Sequence, residues 1–179
     1  MRWLKALLGI APPERPARGL YEAAIALARR PQWYTRGQAP DTVDGRFDVL
    51  ALVLSLVLRR LDQLETAGPL TRSLLECFID DMDSSLREMG VGDLSVGKQV
   101  KAMVDGLNGR RLAYDVALDA ADALNDALRR NLFRGADLPP DTLDWLAGRV
   151  RALERVLDGM DLAMLAAGPA LAVEMGEGA

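Results

Sequence analysis

Apolar residues recur at three- and four-residue intervals along most of the chain, a spacing typical of helices that bury one face. Leu74, Phe78 and Met82 show it most clearly. In residues 49–58 nearly every position is apolar, which predicts a helix buried on nearly all sides. No alternating run of strand length stands out. The pattern predicts an all-α protein, a single-domain bundle of about five to seven helices around a central buried helix at about 44–65.

Turn-forming and capping residues divide this pattern into elements. Helices are predicted at about 20–30, 44–65, 70–89, 96–131 and 141–165. Asp44, Ser95 and Asp141 are the predicted N-caps, because a short polar side chain can accept from the unpaired amides of a first turn. The long fourth helix is predicted to run through, with any kink at Gly106 or Gly109.

The two ends of the chain differ from this helical body. Residues 1–18 form a basic amphipathic leader and linker, residues 19–168 a single helical domain, and residues 169–179 a tail of mostly small residues expected to be flexible. Residues 1–40 carry seven Lys and Arg against two Asp and Glu, although the whole chain has a net charge of −4. A basic leader is expected to bind an anionic surface such as lipid headgroups or RNA. The alternative is a leader that is only solvated.

The amino-acid composition excludes several kinds of catalytic site, an intramolecular disulfide and a membrane-spanning segment. The chain contains no histidine, so catalytic Ser-His or Cys-His pairs are excluded. Cys77 is the only cysteine, which excludes an intramolecular disulfide and favours a reducing compartment. The longest apolar run, residues 49–58, is far shorter than the ~20 residues that cross a bilayer. A cytoplasmic protein is therefore predicted, touching a membrane surface at most through residues 1–10.

Residues 92–98 match the spacing of a phosphate-binding P-loop, but the chemistry is incomplete. Gln99 stands where a Ser or Thr must reach Mg²⁺, and a helical segment precedes the loop instead of a strand. Asp93 would also face the phosphates with a negative charge. Nucleotide binding is therefore not predicted, and no cofactor is expected.

The acidic stretch at residues 80–83 suggests a calcium loop, which requires Gly at its sixth position and a bidentate Glu at its twelfth. Counted from Asp81, those positions hold Leu86 and Gly92. No metal site is predicted, and an acidic helix face that is either solvated or partner-binding is the better interpretation.

Several strings resemble the ubiquinol–cytochrome c chaperone family: Pro-Asp-Thr at 40–42, Gly-Arg-Phe-Asp at 45–48, Asp-Asp-Met-Asp at 80–83, Leu-Arg-Glu-Met-Gly-Val-Gly-Asp-Leu at 86–94, and Gly-Arg at 109–110 with Tyr114. The resemblance covers roughly residues 20–120. It implies a non-enzymatic α-helical chaperone that binds newly made cytochrome b and supports assembly of the cytochrome bc1 complex. Mitochondrial members also associate with the ribosome near the exit tunnel. This chain looks like a bacterial relative, acting in the cytoplasm at the inner membrane.

Three positions depart from the family pattern. Val53 stands where a histidine is frequent, Leu107-Asn108 where aromatic residues are frequent, and Gly97 where proline is frequent. The first two departures put in doubt any mechanism that rests on an imidazole or an aromatic contact there. The string at 86–94 is unaffected.

The resemblance, together with the convergence of charges around residues 90–92, predicts a partner-binding surface for cytochrome b. Its residues are Asp41, Thr42, Arg46, Asp48, Asp80, Asp83, Arg87, Glu88, Gly90, Gly92, Asp93, Lys98, Lys101, Arg110 and Tyr114. No catalytic residue, cofactor or DNA partner is predicted. Two alternatives stay open: a membrane-surface adaptor held by residues 1–10, and a small cytoplasmic enzyme that uses carboxylates or a nucleotide.

Overall fold

The computed structural model describes residues 15–120, 123–169 and 171, and every regular element among them is a helix. The helices are α1 (Arg18–Ala28), α2 (Gln32–Thr35), α3 (Val43–Asp62), α4 (Gly68–Glu88), α5 (Asp93–Asp119), α6 (Leu124–Phe133), α7 (Pro140–Asp158) and α8 (Leu162–Ala166). The all-α prediction is confirmed. α2 and α8 are short, so the bundle consists mainly of the other six.

Helix α3 lies at the centre, in contact with α1, α4, α5, α6 and α7. Residues 49–58 are all buried, and Leu54 has no exposed surface. The polar exception, Ser55, donates its hydroxyl to the Ala51 carbonyl at 2.6 Å, which satisfies a group that would otherwise be costly to bury. The continuous apolar run thus forms the central helix, as predicted.

The predicted N-cap of α3 was wrong by two residues. Thr42, not Asp44, caps the helix, and its hydroxyl accepts from the Gly45 amide at 3.1 Å. Asp44 lies in the first turn instead, where a negative charge complements the helix dipole. Gly45 has to be glycine, because a Cβ there would come within 1.9 Å of the Pro40 carbonyl oxygen.

Later boundaries also differ. Gly92, not Ser95, is the N-cap of α5. The predicted helix at 96–131 is two helices, with the break at about residue 120 and not at a glycine. Asp141 follows Pro140 inside the first turn of α7 instead of capping it, because the fixed φ of proline suits the first helical position. The predicted final helix ends at Asp158, before the separate α8.

None of the helices described, including the apolar α3, combines the length and hydropathy needed to cross a bilayer. The basic leader at residues 1–10 and most of the tail at 169–179 lie outside the described residues.

Candidate partner-binding site

The α4–α5 junction turns within four residues. Gly90 adopts φ +84°, the left-handed conformation that favours glycine. The Val91 amide donates to the Leu86 carbonyl and the Gly90 amide to the Arg87 carbonyl, both at 3.0 Å. These two bonds are the pair that closes a helix with a glycine in the left-handed region. Gly92 has an ordinary extended backbone, so only Gly90 needs glycine for the turn.

Arg87 joins the two sides of this turn. Its Nε donates to Asp83 at 2.7 Å, and its Nη1 donates to Asp93 at the start of α5. The hydrogen bonds that Arg87 donates to Asp83 and to Asp93 raise the pKa of Arg87 above its usual range. The side chain is nevertheless about half exposed, so this cluster orders the junction without being buried in it.

The acidic stretch at 80–83 does not act as a unit. Asp80 pairs with Arg15 at 2.7 Å and Asp81 accepts from the Tyr21 hydroxyl at 2.8 Å, whereas Asp83 pairs with Arg87. Across the described ranges, no group of three or more acidic or cysteine side chains could hold a metal ion. The structure therefore separates Asp80, which pairs with Arg15 just before α1, from the predicted site residues at the junction.

The outer surface of the junction is both apolar and charged. Leu94 is fully exposed at 102% and Met89 is 53% exposed. Leu94, Lys98 and Lys101 are spaced i, i+4 and i+7, so they share one face of α5. Lys101 pairs with Asp105 at 2.6 Å.

Glu88 at the end of α4 and Lys98 are exposed as well. Neither forms an ion pair with any residue in the described part of the chain. Both charges therefore remain available to a partner.

The predicted residues at the start of α3 lie elsewhere. Arg46 donates to Asp41 at 2.7 Å in an exposed pair, and this hydrogen bond lowers the pKa of Asp41. Phe47 is next to Gly106, in the middle of α5. At 1.5 Å per residue, Gly106 is about 20 Å along α5 from its N-terminus, so this group is not part of the junction.

Asp48 and Arg110 tie α3 to α5 beneath the surface. Asp48 is 3% exposed and accepts from Arg110, whose guanidinium also stacks 5.3 Å from the Phe47 ring centroid. Burial raises the pKa of Asp48, although the charge of Arg110 opposes the shift. Tyr114, one turn further on, is buried, and burial raises its pKa too. Asp48 and Tyr114 are too buried to contact a partner directly, and Arg110 is partly exposed.

Sequence reasoning missed the exposed apolar residues of the junction. Met89 and Leu94 lie inside the family-like string at 86–94, but the predicted site consists of polar residues and glycines. Met89 is the C-cap of α4, and Leu94 is the second residue of α5, which begins at Asp93, three residues before the predicted start. With the correct register, Leu94 falls on the outward face of the helix.

Comparison with known proteins agrees with this architecture. The family model for ubiquinol-cytochrome C chaperone matches residues 35–172. The crystal structure of the Cbp3 homolog from Brucella abortus superposes with a TM-score of 0.78 at 33% sequence identity, over 89% of this chain and 90% of that chain. No match was found among curated proteins. The chain belongs to the ubiquinol–cytochrome c chaperone family.

Proposed function

We propose that this chain is a non-enzymatic assembly chaperone that binds newly made cytochrome b and supports assembly of the cytochrome bc1 complex. Family membership supports the chaperone role. The observation that carries the choice of surface is the exposure of Leu94 and Met89 at the α4–α5 junction, beside charged side chains without ion-pair partners. We assign the client contact to this junction.

The chemistry of the surface suits such a client. A segment of a membrane protein that has not yet inserted presents apolar side chains to water, and covering them gains about 25 cal/mol per Å². Methionine adapts its shape to different apolar partners. Glu88 and Lys98 around this patch would contact polar residues that flank an apolar segment, and they would keep the free chaperone from self-association.

The test is recovery of cytochrome b with the tagged chain from its native host, measured by mass spectrometry. Leu94→Asp changes a fully exposed side chain, so it should leave the fold intact and greatly reduce recovery of the client. Leu112→Asp is the matched control, because Leu112 is 67% exposed on the same helix but away from the junction. It should recover as much cytochrome b as the wild type.

Arg87→Glu is a second variant, which breaks the bridge between Asp83 and Asp93. Absence of cytochrome b from the wild-type eluate would exclude the proposed client. Equal recovery with wild type, Leu94→Asp and Arg87→Glu would instead exclude the proposed surface.

The place of action is also part of the proposal. We place the chain at the cytoplasmic face of the bacterial inner membrane, where cytochrome b is inserted, with the ribosome near its exit tunnel as a further partner. Cosedimentation of the chain with translating ribosomes, compared between host cells that do and do not express cytochrome b, tests this. Client-independent cosedimentation would indicate a ribosome contact of the chaperone itself.

A further inference from the structure

A groove of about 580 Å³ lies along α4, beside the end of α3 and the connection between these two helices. Its apolar lining consists of Leu61, Leu64, Leu75 and Ile79. Leu75 and Ile79 are spaced i, i+4, so they form a row along one face of α4. The volume falls within the ~300–1,000 Å³ of pockets that bind sizeable ligands. The groove does not include residues of the α4–α5 junction that we assign to the client.

Three charged side chains line the groove, and two of them have ion-pair partners from other parts of the chain. Asp62 pairs with Arg111 of α5, and Glu76 pairs with Arg15 just before α1. The third, Arg72, is exposed and forms no ion pair with any of the described residues. Of the charges that line the groove, only a positive one is therefore uncompensated.

The position of Arg15 explains why Arg72 has no local partner. Arg72 and Glu76 are spaced i, i+4 on α4, a spacing at which an arginine and a glutamate can pair along a helix. Arg15 binds Glu76 instead and also pairs with Asp80 at 2.7 Å, while its own side chain is only 16% exposed. The fold thus holds the one nearby carboxylate that could neutralise Arg72 along α4.

The Thr71 hydroxyl is a second polar group of the groove, next to Arg72 in the chain. It forms no hydrogen bond with any of the described residues. A guanidinium and a hydroxyl can both donate to the two oxygens of one carboxylate. The groove therefore combines an apolar row with donors that suit a carboxylate.

We propose that this groove binds an amphipathic α-helix of a protein partner other than the client, with apolar side chains in the groove and an Asp or Glu that pairs with Arg72. A helix that lays its apolar face into a groove is a recurring mode of peptide recognition. Charge provides the selection, because an acidic helix pairs with Arg72 whereas a basic helix meets an uncompensated cation. Arg72 is exposed and Ile79 is 38% exposed, so the groove is open to another chain.

Fluorescence anisotropy with the purified full chain and two designed helical peptides tests the charge requirement. Both peptides carry leucine at i, i+4 and i+7, and this row is flanked by glutamate in one peptide and by lysine in the other. The glutamate peptide should bind the wild type more tightly. Arg72→Glu should weaken its binding by about tenfold and strengthen that of the lysine peptide. Arg155→Glu, at an exposed arginine of α7 outside the groove, is the matched control and should change neither affinity.

Ile79→Ser should weaken binding of both peptides, because it removes an apolar side chain from the groove. Circular dichroism of each variant checks that its helicity equals that of the wild type, and Arg72→Glu decides the question even if Ile79→Ser does not fold. Equal affinity of the wild type for the two peptides, no binding of the glutamate peptide, or unchanged affinity in Arg72→Glu would each overturn the proposal.

Other occupants give different results. Saturable binding of oleate that is lost in Arg72→Glu would assign the groove to a lipid, and dimerisation in sedimentation that is lost in Ile79→Ser would assign it to a second copy of this chain. Recovery of cytochrome b with tagged Arg72→Glu should equal that of the wild type, and a loss would assign the groove to the client. Each of these results would overturn the proposal. The peptide assay contains no cytochrome b, so its failure would leave the proposed client untouched.

Discussion

Two tyrosines in the fold have opposite hydrogen-bonding situations. The Tyr114 hydroxyl is buried and has no hydrogen-bond partner among the described residues. The Tyr21 hydroxyl donates to Asp81 at 2.8 Å. A buried hydroxyl without a partner lowers stability by the full free-energy cost of its desolvation, whereas a hydrogen-bonded hydroxyl stabilises the fold by about 1 kcal/mol.

Replacement of each tyrosine by phenylalanine should therefore change stability in opposite directions. Tyr114→Phe should raise the free energy of unfolding by up to about 1 kcal/mol, and Tyr21→Phe should lower it by a similar amount. Urea unfolding followed by circular dichroism measures both. A clear loss of stability in Tyr114→Phe would mean that a bound water satisfies the hydroxyl.

Two aspartates predict opposite pH dependences. Burial raises the pKa of Asp48, so its contribution to stability is present at low pH and is lost as the pH rises through the folded-state pKa. The hydrogen bond from Arg46 lowers the pKa of Asp41, so its contribution is present above the unfolded-state pKa and is lost as the pH falls. Asparagine at either position removes the ionisable carboxyl group and therefore its contribution to the pH dependence of stability.

As the pH rises from ~3.5 to ~7, the stability of the wild type minus that of Asp48→Asn should decrease. As the pH falls from ~5 to ~2.5, the stability of the wild type minus that of Asp41→Asn should decrease. Urea titrations at several pH values give both slopes. A difference from Asp48→Asn that grew with pH would show that the attraction of Arg110 outweighs the desolvation of Asp48.

At the scale of elements, glycine has different roles in the α4–α5 junction and in the first turns of α5. Gly90 has a positive φ, and a side chain there strains the backbone even though the space is open. Gly97 lies inside α5, where an added Cβ also meets nothing within 4 Å. Gly90→Ala should therefore cost about 1–2 kcal/mol, and Gly97→Ala should gain about 0.5–1 kcal/mol.

Thermal and urea unfolding of both variants test this difference. Equal effects of the two substitutions would contradict a left-handed conformation at Gly90. Because the client surface depends on the junction, Gly90→Ala should also reduce recovery of cytochrome b more than Gly97→Ala does.

Local pattern predicted the helices well and their ends poorly. The apolar spacing identified α3 and α4, because a helix that buries one face, or its whole surface, has apolar residues at the buried positions. Thr42 and Asp44 can both cap a helix, and the choice depends on the approach of Gly45 to the Pro40 carbonyl. The break near residue 120 has no glycine or proline beside it, so tertiary packing must decide it.

The candidate site shows the same limit. The pair of Asp83 and Arg87 follows from their i, i+4 spacing and is observed. Asp80 is seven residues before Arg87, on the same face of α4, but it pairs with Arg15, which is distant in sequence. Spacing on a helix predicts local partners only, and the exposure of Leu94 required the register of the whole helix.

At the scale of the whole molecule, one hydrophobic cluster contains buried residues from all eight helices of the described ranges. The cluster also connects helices away from its centre. The rings of Trp33 in α2 and Trp145 in α7 meet edge to face, with their centroids 6.1 Å apart. Helix α3 contacts five other helices. A core connected in this way should unfold as a unit, because α3 holds five of the other helices together.

Leu54→Ala tests that connection from the centre of α3. Loss of a fully buried leucine should cost about 2–5 kcal/mol, and the helix signal and tryptophan fluorescence should shift by the same amount in urea. In the Trp3→Phe background the fluorescence comes from Trp33 and Trp145 and reports on the far side of the core, whereas circular dichroism reports on all helices. A tryptophan transition that precedes the helix transition would show that α2 and α7 separate from the rest, and the single core would then be wrong. Coincident transitions in the wild type and in Leu54→Ala would mean that one cooperative fold holds the α4–α5 junction in place. A buried substitution would then change global stability together with the junction. Client binding could be changed without changing stability only at exposed residues such as Leu94.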